Sequence, residues 1–178
     1  MSNAAHRYFF ALLPSPVCGS IASHRDQLGA VESKVDDHCL HATLAITDDF
    51  DHQPASLEAQ LLAIGEGIAT GPVPMALDQL SGTADSVALR PSRRIPALAV
   101  LAGSLQRRMA RAGLLRTEWT FRPHVTLLYR KGKPFARPLD PICWTATDFV
   151  LIHSIVDAHQ HVELGRWPLI ERQGSFAF

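Results

Sequence analysis

One four-residue pattern (histidine, any residue, threonine, leucine) occurs twice in this chain, and its recurrence constrains the fold more than any other feature. The copies are His41-Ala42-Thr43-Leu44 and His124-Val125-Thr126-Leu127. Both lie in β-branched and apolar stretches, Leu40 to Ile46 and Phe121 to Arg130, that read as strands. Alternate side chains of a strand share a face, so His41 sits beside Thr43 and His124 beside Thr126. The approaches to the two copies match as well. Ala11-Leu12-Leu13-Pro14-Ser15 stands upstream of the first and Ala88-Leu89-Arg90-Pro91-Ser92 upstream of the second; Ala11 and Ala88 are 77 residues apart, His41 and His124 are 83 apart. Each half runs strand, proline turn, helical stretch, then the His-x-Thr strand. This is an internal duplication, too degenerate and too short to be a repeat array.

Along the chain, Met1 to His6 reads as a loose terminus and Arg7 to Leu13 as a dense apolar strand, stopped where Pro14 and Pro16 cannot donate to a ladder. Val17, Ile21, His24 and Leu28 continue at helical spacing to Gly29, and Glu32 to His38 is a polar connector. The His41 strand ends in an acidic turn at Asp48, Asp49 and Asp51. A second helix is predicted from Ser56 as N-cap, with Glu58 in its first turn, to the neighbourhood of Gly71-Pro72. Strands follow at Val73 to Leu80 and Ser86 to Leu89, then an amphipathic helix from Ile95 to Ala112 with Gly113 as its C-terminal glycine. Its Arg107, Arg108 and Arg111 form either a solvated face or a patch that meets RNA. Lys131 to Pro134 is a basic turn, Ile142 to Trp144, Asp148 to Val156 and His161 to Leu164 are further strands, and Trp167-Pro168-Leu169 closes the chain. No linker divides residues 1–178, so they are expected to form one domain, α+β, with two lobes around a central cleft and the helices outside.

Composition limits the partners. Lys plus Arg equals Asp plus Glu, at 17 each, so no global field recruits nucleic acid, and an RNA substrate must be small or be met by a local patch. Cys18, Cys39 and Cys143 are sparse and unpatterned, which points to a reducing compartment and neither a disulfide framework nor a zinc site. The apolar run Tyr8 to Leu13 is too short to span a bilayer, and a cytoplasmic monomer is expected, with no metal and no cofactor.

A histidine and a hydroxyl presented twice suit a phosphodiester: one imidazole deprotonates water, another protonates the departing oxygen, and the hydroxyls hold the phosphoryl oxygens. Arg122, two before His124, shares its parity and is a candidate phosphate donor; Arg130 does so only if no bulge intervenes. Tyr129 either stacks on a base or packs at the strand end. Phe9 and Phe10 read as core, with one of them possible at the rim of a base pocket. His159 and His161 lack a Cys or Asp companion and read as ordinary histidines.

Arg7-Tyr8-Phe9-Phe10-Ala11, the two H-x-T-L motifs, Pro123 and the ending Arg166-Trp167-Pro168-Leu169 together resemble the two-histidine (2H) phosphoesterases, specifically the RNA 2′,3′-cyclic phosphodiesterases also called 2′-5′ RNA ligases. The resemblance implies a bilobal fold of two antiparallel-rich sheets with pseudo-two-fold symmetry. His41 and His124 would face each other across the cleft, flanked by Thr43 and Thr126. It further implies metal-free opening of a terminal 2′,3′-cyclic phosphate to a 2′-phosphate, with 2′-5′ joining as a related reverse step; His41 is then expected as the acid toward the 3′-oxygen and His124 as the base toward water. Partners would be RNA ends or small nucleotides bearing the cyclic phosphate. Three positions depart from the family pattern: Tyr129 stands where an arginine is common, His161 where a tyrosine is, and Ile46-Thr47-Asp48 where Phe-Leu-Gly often follows the first motif. Alternatives are a 2H phosphodiesterase acting on 2′-5′ oligonucleotides or nucleotide-derived cyclic phosphates, and a protein that binds RNA ends without turnover.

Overall fold

The computed structural model describes residues 5–29, 33–158 and 160–170. Residues 1–4 of the expected loose terminus, Glu32 of the connector and His159 fall outside them. In chain order the elements are β1 (His6–Leu12), α1 (Cys18–Asp26), β2 (Ser33–Lys34), β3 (Ala42–Ile46), α2 (Leu57–Glu66), β4 (Val73–Gly82), β5 (Ser86–Arg90), α3 (Pro96–Arg111), β6 (Val125–Tyr129), β7 (Phe135–Ala146), β8 (Asp148–Ile155) and β9 (Gln160–Pro168). The class is α+β. The long strands lie in the order β7-β4-β5-β6-β3-β1-β8-β9, and β2 pairs with β6. Every pairing is antiparallel.

The nine described strands form one sheet whose eight long strands make two halves of four, joined where β3 meets β6 through one residue pair, Ala42 and Val125. The halves repeat each other residue for residue near that junction. Ala11 pairs with Thr43 and Leu12 with Ala42; Ala88 pairs with Thr126 and Leu89 with Val125. Each motif strand also carries the same irregularity. The register skips Leu44 between the Phe10–Ala45 and Ala11–Thr43 pairs, and it skips Leu127 between the Val87–Leu128 and Ala88–Thr126 pairs. The motif leucine is thus a β-bulge residue in both copies, with its side chain fully buried. A bulge frees backbone groups from the ladder, and here both carbonyls find donors: Gln106 Nε2 donates to the Leu44 carbonyl (2.9 Å) and the Val35 amide to that of Leu127 (2.9 Å).

All three helices contribute to one large core on one face of the sheet, through Ile21 of α1, Leu57 and Leu61 of α2, and Leu98, Leu101, Leu105 and Met109 of α3. A smaller cluster of Phe9, Ala11, Ile46, Val150 and Ile152, with Leu13 and Trp119 against it, lies on the other face. That second face carries the motif histidines and threonines.

Several boundaries differ from the sequence reading. β7 begins at Phe135, well before Ile142, because Pro138 and Pro141 sit on an edge strand where a missing donor is tolerated. The connector contains β2, and β9 extends from Gln160 to Pro168. α2 ends at Glu66, with Gly67 as its cap, and not near Gly71: Arg108 Nη2 donates to the Gly67 carbonyl (2.8 Å), satisfying a group the helix end leaves open. Ser56 borders that helix, but in the left-handed region (φ 66), and its hydroxyl accepts from Gln60 Nε2 (3.3 Å) in place of capping. α3 ends as expected at Gly113 (φ +68), where Leu114 N–H reaches the Met109 carbonyl and Gly113 N–H that of Ala110, a Schellman closure. Among the described residues no helix is long and apolar enough to cross a membrane, and none of Cys18, Cys39 and Cys143 is in a disulfide.

Candidate active site

The four motif side chains are set by the single pair that joins the halves. Ala42 and Val125 are opposite each other and point into the large core. Continuing that antiparallel register by one residue each way places His41 against Thr126 and Thr43 against His124, all four on the other face. Each histidine immediately precedes its strand. Its ring is thus anchored by a strand but leaves the ladder at the point of use.

Both rings are held alike. His41 Nδ1 lies 2.7 Å from the Cys39 carbonyl, and His124 Nδ1 lies 2.7 Å from the Arg122 carbonyl. A carbonyl only accepts, so Nδ1 carries the proton and donates in each case, leaving Nε2 as the nitrogen that exchanges one. The hydroxyls of Thr43 and Thr126 are half-buried, and no hydrogen bond joins either to another described residue.

Surroundings distinguish the two histidines. His41 keeps some surface open, yet Phe9 stacks on it (centroids 4.5 Å, planes 23° apart) and His161 meets it edge-on (5.3 Å, 72°). Burial pushes its pKa down to about 4; the nearby His161 and His124 push the same way, while the Cys39 carbonyl opposes them. His124 is held below its ordinary value by burial and by the positive charge of Arg90, against the Arg122 carbonyl.

The other sequence candidates divide. Arg122 is exposed beside the site, and its charge bears on Arg90. Arg130 is not brought to the histidines. The bulge at Leu127 reverses parity beyond it, and the Arg130 guanidinium lies over the Phe135 ring, 5.8 Å from its centroid. The same bulge gives Tyr129, which is half exposed, the parity of Thr126. Phe9 borders the site while Phe10 is core. α3 packs on the face opposite the histidines, with Arg108 turned to Gly67. The acidic turn is engaged in ion pairs, Asp49 with Arg7 and Arg116 and Asp48 with Arg116. Two features escaped the sequence reading. His161 is a neighbour of His41, and Arg90 lies near His124; only the Ala-Leu-x-Pro-Ser repeat, which puts Leu13 and Arg90 in equivalent places, signalled the second. Among the described residues no group of three His, Cys, Asp or Glu is arranged to hold a metal.

The duplicated sheet and the paired His-x-Thr motifs are similar to those of the 2H phosphoesterases, and structural neighbours support that superfamily. Solved structures agree over nearly the whole length of this chain. A phosphoesterase crystal structure is 26% identical with a TM-score of 0.78, covering 93% of this chain and 99% of its own. LigT of E. coli in complex with 3′-AMP is 26% identical with a TM-score of 0.79, covering 94% and 99%. TT0787 of Thermus thermophilus is 18% identical with a TM-score of 0.69, covering 92% and 97%, and speaks for the fold alone. No protein-family model and no curated protein matches the sequence.

Proposed function

We propose that this protein opens the 2′,3′-cyclic phosphate at RNA ends to a 2′-phosphate, using His41 and His124 as the acid–base pair and Thr43 and Thr126 as donors to the phosphoryl oxygens. The observation that carries the reading is the arrangement of these four residues about the Ala42–Val125 pair, with both Nδ1 atoms tied to carbonyls two residues upstream. Two imidazoles with free Nε2 atoms on either side of one phosphate supply both proton transfers of an in-line displacement. Simple binding of an RNA end needs no such pair. LigT, which is similar in fold, has been crystallised with 3′-AMP, ATP, NADP+ and phosphate, so nucleotide phosphates fit a cleft of this kind.

In this reading water is activated by His124 and the ribose 3′-oxygen leaves beside His41, so the bond to that oxygen breaks and the phosphate stays on the 2′-oxygen. Reversal with an incoming 5′-hydroxyl in place of water is 2′-5′ ligation. The protein works as one bilobal unit, a cytoplasmic monomer without metal or cofactor. A short RNA ending in 2′,3′-cyclic phosphate, incubated with the protein in EDTA, tests this: a 2′-phosphate product is expected. A 3′-phosphate would overturn the orientation, and no turnover, or turnover only with a divalent ion, would overturn the mechanism.

A further inference from the structure

The four central residues are related by pseudo-symmetry, but their flanks are not. On the side of β1, Leu13 occupies the variable place of Ala-Leu-x-Pro-Ser and packs with Phe9 and Trp119 in an apolar cluster. On the side of β5 the equivalent residue is Arg90. The Ala88–Thr126 and Leu89–Val125 pairs, continued by one residue, set Arg90 against His124 on the face that carries the motif histidines. Arg90 is half-buried, and among the described residues no carboxylate pairs with it or with Arg122. Arg122 bears on it with a like charge. Two neighbouring guanidinium groups, one of them partly desolvated and neither neutralised, form a place an anion stabilises.

Arg90 is held from the side of the sheet away from the junction of the two motifs. Arg90 Nε donates to Ser81 Oγ (2.8 Å), and Ser81 lies on β4, one strand further from the junction than β5. The guanidinium is thus fixed on the β4 side of His124, with its charge still bearing on that ring and its remaining N–H groups not engaged by Ser81. The chain continues from Arg90 into Arg93 and Arg94, both exposed, which extends the positive character off the same end of β5.

We propose that Arg90, with Arg122, binds a second phosphate of the substrate, the one that joins the terminal nucleoside to its 5′ neighbour, so that the site selects nucleotide ends carrying that phosphate over a bare nucleoside cyclic phosphate. This rests on the phosphodiester reading of the central cleft, because it requires a first phosphate between the histidines. The planar fork of Arg90, with one arm fixed by Ser81, keeps its remaining N–H groups in a fixed orientation for phosphate oxygens.

The test is a ratio. kcat/KM is measured on adenosine 2′,3′-cyclic phosphate, on the same nucleotide with a 5′-phosphate, and on a dinucleotide ending in the cyclic phosphate. The wild-type protein is expected to favour the two phosphate-bearing substrates by about tenfold or more, the scale of one charge-assisted contact. In Arg90→Ala that preference should collapse toward unity, and Arg90→Lys should keep part of it. Absence of a wild-type preference, or a preference that survives Arg90→Ala, overturns the proposal. Calorimetry with adenosine 3′,5′-bisphosphate and 3′-AMP gives the same comparison without turnover. An Arg90-dependent gain for the bisphosphate in a protein that opens no cyclic phosphate would sink the catalytic reading and leave the second anion site standing.

Discussion

Phe9 lies against the imidazole of His41, with centroids 4.5 Å apart and planes inclined by 23°. Phe9 is 3% exposed and fixed by Ala11, Ile46, Val150 and Ile152, so its ring is a rigid wall for the histidine. The negative face of an aromatic ring favours imidazolium, whereas burial favours neutral imidazole. Burial wins, since His41 is pushed down to about 4. Phe9→Leu keeps the apolar character and removes the aromatic face. We expect it to cost about 1–1.5 kcal/mol in stability and to lower kcat about fivefold with little change in KM. Urea unfolding and steady-state kinetics measure both; an unchanged kcat would reduce Phe9 to core filling.

On the proposed mechanism the two histidines, anchored alike through Nδ1, act in a single step. His41→Ala and His124→Ala should each lower kcat by about three orders of magnitude or more, and the double variant should be little worse than either single one. Losses that multiply would mean independent contributions. Thr43→Ala and Thr126→Ala should each cost about 1.5–3 kcal/mol in kcat/KM, the scale of one hydrogen bond to a charged group.

The bulge at Leu127 separates the two arginines the sequence nominated. Arg122→Ala should raise KM, by about tenfold if one charge-assisted contact is lost, while Arg130→Ala, which removes a guanidinium from over Phe135, should leave KM unaltered within error. The reverse pattern would show that the strand register differs in solution.

Much of this was legible because it is local. The His-x-Thr parity, the duplicated strands and the amphipathic pattern ending at Gly113 are written within a few residues of each other. The bulges are not: Leu44 and Leu127 look like ordinary strand residues, and the skip is visible only against Phe10–Ala11 and Val87–Ala88 on neighbouring strands. Edge position rescues Pro138 and Pro141 as strand residues, and edge position is a property of the whole sheet. Arg90 reads as the end of a strand before a proline, and its relation to His124 exists only once β5 and β6 are paired. His161 reaches His41 because β9 folds back along β8 and brings it to Phe9, more than a hundred residues away in the chain.

Burial of His41 makes folding pH-dependent. Its pKa is about 4 folded, against about 6.5 in an unfolded chain, so as pH falls through 6.5 the unfolded state takes up a proton the folded state refuses. Stability is therefore full above pH ~6.5 and is lost progressively down to about 4, by roughly 3 kcal/mol from this group. His124 and His153, also lowered by burial, add in the same direction. Asp26, Asp49 and Asp78, lowered by their arginine and Ser92 partners, add a loss only from about pH 5 downward, and they do so equally in the wild type and in a His41 variant. Urea midpoints from pH 8 to 4.5 should fall less steeply in His41→Gln than in the wild type. Parallel curves would show that His41 is not desolvated as described.

The same low value bears on the acid role assigned to His41. A group with a pKa of about 4 is neutral in the free protein near pH 7, yet it must hold a proton on Nε2 to release the 3′-oxygen. A phosphate between the histidines brings a negative charge against both rings, which favours imidazolium, and the face of Phe9 adds to it on His41 alone. His124 has the Arg90 charge beside it, which opposes its protonation and keeps it suited to act as base. The proposed acid role therefore requires the entering phosphate to charge His41 in spite of His161 and His124, which oppose its protonation in the free protein. Since kcat/KM reports ionisations of the free protein and kcat those of the complex, the optimum of kcat should lie at higher pH than that of kcat/KM. NMR titration of the imidazole resonances should show the pKa of His41 rising on saturation with inorganic phosphate, by more than that of His124. Coincident pH profiles, or a larger rise at His124, would exchange the two roles and put the departing oxygen beside His124.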